Sequence, residues 1–96
     1  MFIIILTYKK TLTEVDKFGK EHLAFLSKFF EAGKFIVSGR RNPRTGGVII
    51  AHDVTREQLD DIIKEDAFYQ NGLADYDIIE FTPVKYQEAF KVFVTD

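Results

Sequence analysis

The segment "FIIILTY", Phe2 to Tyr8, constrains this chain more than any other stretch. It is a continuous apolar run closed by Lys9 and Lys10, and its β-branched side chains favour an extended backbone. A strand wetted on one side alternates apolar and polar residues, whereas an unbroken run predicts a strand covered on both faces. The fold therefore needs a layer on each side of this strand, and the remaining sequence must supply both.

Downstream, "TLTEVD" offers two overlapping helix starts, Thr11 with Glu14 and Thr13 with Asp16, each resembling a capping box. The apolar spacing predicts one helix from about Thr13 to Glu31, with Gly33 as its stop. Lys34 to Gly39 reads as a second strand, and "RRNPRTGG" as a loop marked by Pro43 and paired glycines. Val48 to His52 reads as a third strand, antiparallel to the second. Thr55 with Gln58 forms a capping box, and Val54 with Leu59 a hydrophobic staple, for a second helix. Its apolar positions are Leu59, Ile62 and Ile63, and it ends near "EDAFYQNG". Tyr76 to Phe81 reads as a fourth strand, stopped at Thr82-Pro83, and "KYQEAFKVFV" reads helical at its start and strand-like at its end.

The order is an α+β, ferredoxin-like βαββαβ pattern in one domain spanning 1–96, with two helices on one face of a four-stranded antiparallel sheet. Two helices cover only one face. Phe35, Val37, Val48, Ile50, Ile78 and Ile79 nevertheless place apolar residues on both sides, more than a monomer ordinarily exposes. The expected remedy is a homodimer packed sheet to sheet, with the tail, residues 84–96, at that interface.

Composition narrows the function classes. A chain of 96 residues buries only roughly 60–65% of its unfolded surface, and here aromatics reach 15%, ten of them Phe. A net charge of −2 argues against nucleic acid, and "GGVIIAH" lacks the stacking ring of an RNA-binding sheet. With no cysteine there is no disulfide framework and no thiolate ligand, which fits a reducing compartment. The start lacks a basic region and a cleavage site, and no apolar run reaches membrane length, so a cytoplasmic protein without membrane partners is expected. Two histidines thirty residues apart make a poor metal site, and no phosphate loop, HExxH or GxSxG motif occurs.

The candidate site starts from His22, which follows Phe18 by four residues and precedes Phe25 by three. A titratable ring thus lies on the helix's apolar stripe, either as a hydrogen-bonded packing residue or as an acid/base group. Asp66 falls at or just past the last turn of the second helix, the unfavourable end of its dipole for a carboxylate. Its alternative is a solvated turn residue beside Asp60, Asp61 and Glu65. Ser38 and Gly39 end a strand, where glycine admits a ligand close to the backbone or simply starts a loop. Arg40, Arg41 and Arg44 form either a solvated tip or an anion subsite. His52, at a strand end next to Asp53, reads as a surface residue.

Together, "EHLAFL" with His22, "EAGKFIVSG", "GGVIIA" and "EDAFYQNGLADYDIIEF" resemble the YciI-like (YCII-related) family over about Met1 to Pro83. The resemblance implies a dimeric α+β barrel and a histidine–aspartate pair near its opening. Carried over by motif, the pair is His22 and Asp66, with Ser38 and Phe68 as pocket neighbours and Gly39 and Arg40 beside them. Three positions depart from the family pattern: Ala67 replaces the proline of Asp-Pro-Phe, Arg40 replaces a proline after Gly39, and Gly19 replaces a basic residue. The implied function is cofactor-independent acid/base chemistry on a small molecule, of lyase, isomerase or dehydrochlorinase type. The alternatives are a non-enzymatic ligand-binding or regulatory dimer, and an accessory domain acting through its tail.

Overall fold

The structure, a computed structural model, describes residues 1–94. Its elements are β1 (Phe2–Tyr8), α1 (Leu12–Asp16), α2 (Gly19–Glu31), β2 (Phe35–Arg40), β3 (Gly46–Ala51), α3 (Arg56–Ile63), α4 (Ala67–Gln70) and β4 (Ala74–Glu80), followed by a 3-10 helix at Glu88–Phe93. The strands form one sheet in the order β2-β3-β1-β4, every neighbouring pair antiparallel. This is the ferredoxin-like arrangement expected, with α1–α2 and α3–α4 as the two helical crossings.

The apolar run of β1 takes the centre of the sheet, and its alternate residues meet different surroundings. Phe2, Ile4 and Leu6 are buried against Val15, Phe25, Phe29, Leu59 and Ile62 in a single core. Ile3 and Ile5 point to the other face and are only half-buried. Register places Ile50 and Ile79 beside Ile3, with Val37 across from Ile50. Val37 and Ile79 are each 49% exposed, so this face of the chain is apolar and open. Phe25, Phe29, Phe30 and Phe35 meet in edge-on and tilted pairs, the preferred ring geometry.

Both predicted helices are broken. The first crossing starts at Thr11, whose side chain accepts from the Glu14 N–H, so the earlier of the two candidate caps is used. Phe18, with φ −111° and ψ 11°, leaves helical geometry and Gly19 restarts it, which the apolar spacing carries straight through. α2 ends as expected, with Gly33 at φ +74°, a conformation that favours glycine. The second crossing has the predicted capping box at Thr55 and Gln58, with Leu59 fully buried. It stops at Ile63, and α4 begins again behind Asp66.

The paired glycines lie in β3 rather than in the loop. A Cβ on Gly46 would stand 1.8 Å from the Leu6 carbonyl oxygen, so only glycine lets β3 approach β1 here. Instead of the strand-like end expected of the tail, the described residues hold the 3-10 helix, anchored where His52 Nδ1 meets the Phe93 carbonyl at 2.9 Å. His52 is accordingly half-buried, not a free surface residue. Residues 95–96 of the tail lie outside the described residues.

Candidate functional site

His22 sits in the first turns of α2, on the stripe that continues into the buried Phe25, Leu26 and Phe29. Its ring lies parallel to Phe68 at 3.9 Å between centroids with a 5° interplanar angle, and is stacked with Phe25 at 6.0 Å. Only 16% of the side chain is exposed. A polar ring in such a place needs a partner for each buried nitrogen. Nδ1 finds one at 2.7 Å in Asp66 Oδ1.

At Asp66 the structure removes the solvated alternative and corrects the helix end to which the residue belongs. Asp66 is fully buried, at 0% exposure, not solvated within an acidic run. It is also the N-cap of α4 rather than the tail of the preceding helix, its Oδ1 accepting the Phe68 N–H at 3.0 Å. Because the second crossing breaks after Ile63, the carboxylate meets the positive end of a new helix. Its other oxygen, Oδ2, accepts the Tyr76 hydroxyl at 2.5 Å, a charge-assisted length. Burial first, and the nearby Asp66 charge second, raise the Tyr76 phenol well above its ordinary range, so it stays protonated and donates.

The tautomer follows from this inventory. A carboxylate can only accept, so the short contact requires His22 Nδ1 to carry a proton. Nε2 is then the ring nitrogen left for chemistry. His22 lines a cavity of about 320 Å³ between α2 and the end of the sheet, the size of a small-ligand pocket. Leu6, Leu23, Leu26, Ile49 and Phe68 make its apolar walls.

Ser38, Gly39 and Arg40 also line this cavity. The register puts Ser38 and Arg40 on the helix-covered face, across from Ile49 and Gly47. The three arginines of the loop disperse. Arg41 donates to Thr7 Oγ1 at 2.8 Å, and Arg44 pairs with Asp16 at 2.5 Å. Asp16 and Arg44 both belong to the cavity rim, and among the described residues Arg40 makes no salt bridge. Among the same residues no group of three or more His, Cys, Asp or Glu is placed to hold a metal.

The site therefore joins His22, Asp66 and Phe68 directly and sets Ser38, Gly39 and Arg40 around the same cavity. The reading of the residues missed Tyr76, Tyr8 and Leu6. Tyr76 was the one with a signal: β4 alternates, and a tyrosine on its inward face needs a buried partner for its hydroxyl.

A family model described as YCII-related domain matches residues 1–82 of the chain. No curated protein matches it. Among solved structures it is similar to 5-chloro-2-hydroxyhydroquinone dehydrochlorinase from Burkholderia phenoliruptrix, in complex with 2,5-dihydroxybenzoquinone. That likeness covers 84% of this chain and 93% of the other, at 18% identity and a TM-score of 0.64, and marks a shared fold.

Proposed function

Because the chain belongs to the YCII-related domain family, we propose that it is a small cofactor-independent enzyme in which His22 is the general acid/base and Asp66 its orienting partner. One observation carries this reading: a fully buried carboxylate accepts a hydrogen bond at Nδ1 of a histidine that lines a cavity. Such a pair holds the ring in one tautomer and steadies the imidazolium that forms when Nε2 takes a proton.

The substrate is a small molecule of roughly the cavity's size, flat enough to lie among Leu6, Leu26, Ile49 and Phe68. Nε2 removes a proton from a carbon or hydroxyl acidified by a neighbouring carbonyl. In an isomerase the same proton returns to another atom of the conjugated system. In a lyase or dehydrochlorinase the electron pair left behind expels a leaving group, and the proton passes from His22 to water. Arg40, free of a carboxylate among the described residues, holds the negative charge that develops or that the substrate brings. Ser38 offers a hydroxyl at the same wall.

The similar dehydrochlorinase acts on a chlorinated hydroxyhydroquinone, which makes substituted hydroquinones and quinones the first compounds to try. His22→Gln should lower turnover of any substrate found by roughly 10²–10⁴-fold with the fold retained by circular dichroism. Activity untouched by that change contradicts the proposal. If instead ligands raise the melting temperature without any turnover, the protein is a binding module.

A further inference from the structure

Asp66 needs a second support. Its Oδ1 serves two donors at once, the ring of His22 and the backbone of Phe68. Rotation about the Cβ–Cγ bond, a broad torsion, would swing Oδ1 away from both donors, and a hold on the other oxygen resists it. Among the described residues, the hydrogen bond on that other oxygen is the one from the Tyr76 hydroxyl to Oδ2, at 2.5 Å.

From this convergence we infer that Tyr76 is a positioning residue of the His22–Asp66 site, clamping the carboxylate so that Oδ1 stays aimed at the imidazole; the inference rests on the reading of that pair above. Tyr76 is itself placed by structure rather than by chance. β4 pairs with β1 so that Tyr76 stands beside Leu6 on the helix-covered face. Tyr69 of α4 meets its ring edge-on at 5.7 Å, and the ring packs against the core. The hydroxyl is therefore delivered by the sheet, while Asp66 is delivered by the α3–α4 break and His22 by α2. Three separate elements meet on one carboxylate.

The consequence is a division of labour. Three donors occupy three of the roughly four acceptor sites of the Asp66 carboxylate, which is fully buried and not among the cavity-lining residues. Tyr76 thus makes Asp66 a stationary partner and leaves His22 Nε2 as the only group of the three that exchanges protons with a ligand. The phenol takes no part in the reaction.

The test compares His22 in the whole protein by long-range 1H–15N NMR and by solvent exchange of the ring proton. In Tyr76→Phe the ring packing survives and only the hydroxyl goes. The His22 Nδ1 proton should exchange about tenfold faster, the scale of one lost hydrogen bond, and the minor Nε2–H tautomer should gain population. Tyr69→Leu, which removes a ring contact but no donor, should leave both readouts unchanged. If Tyr76→Phe behaves as wild type while Asp66→Ala releases the ring proton, Tyr76 is a packing residue and the inference is wrong, with the His22–Asp66 pair intact. If Asp66→Ala also changes nothing, the pair itself fails. Should Tyr76→Phe not fold, the wild type still decides: the Tyr76 hydroxyl proton must be slow enough in exchange to observe, and its absence overturns the clamp.

Discussion

At Asp66, burial and hydrogen bonding meet in one side chain, so its replacement acts on stability as well as on chemistry. Asp66→Ala leaves the His22 ring, the Phe68 N–H and the Tyr76 hydroxyl without their acceptor. Each stranded buried group costs roughly 1–3 kcal/mol, and urea unfolding should show a loss well beyond that of an exposed substitution such as Asp60→Ala. Tyr76 adds a pH signature. The folded phenol keeps its proton to higher pH than the unfolded one, so its contribution to stability is complete below the ordinary tyrosine value of about 10 and declines as pH rises past it. The melting temperature of the wild type should therefore fall more steeply above about pH 10 than that of Tyr76→Phe; parallel curves contradict the burial of that hydroxyl. His22 was legible in the sequence because a polar ring interrupts an apolar stripe. The burial of Asp66 was not, since Asp60, Asp61 and Glu65 share its segment and are exposed. Spacing alone does not tell a buried acid from its solvated neighbours.

Among the elements, those with a local stereochemical signature were read well and those broken against their own periodicity were not. The capping box of α3 is local chemistry: Thr55 accepts from Gln58 N–H at 3.0 Å and the Gln58 side chain returns to Thr55 N–H at 2.9 Å. Thr55→Ala should cost roughly 1 kcal/mol by chemical unfolding, and no measurable loss would mean that α3 is held by packing alone. The breaks at Phe18 and after Ile63 left the apolar pattern undisturbed, so periodicity ran through them. The second break matters most, because it turns Asp66 from a helix end into a helix start. Gly46 shows a tertiary constraint that no local pattern carries. Gly46→Ala drives a methyl into the Leu6 carbonyl, and β3 can accept it only by parting from β1, so the variant should be expressed largely unfolded.

For the molecule as a whole, the open face of the sheet sets an expectation that a single chain leaves unmet. Ile3, Ile5, Val37, Ile50 and Ile79 share that face, and Val37 and Ile79 stand about half exposed. The unbroken apolar run of β1 calls for a second layer there, which a second copy would supply. Sedimentation should give twice the chain mass, and the double substitution Val37→Asp, Ile79→Lys should give the monomer; a monomeric wild type contradicts this assembly. On its covered face the same sheet serves the site, bringing His22 to Asp66 across a separation of 44 residues. That contact is what the proposed function stands on. It is tested most directly by recording long-range 1H–15N correlations of the His22 ring in the wild-type protein near neutral pH. The structure predicts a proton on Nδ1, held in the hydrogen bond to Asp66 Oδ1. A proton found instead on Nε2, with Nδ1 bare, contradicts the contact with the Asp66 carboxylate and with it the acid/base assignment.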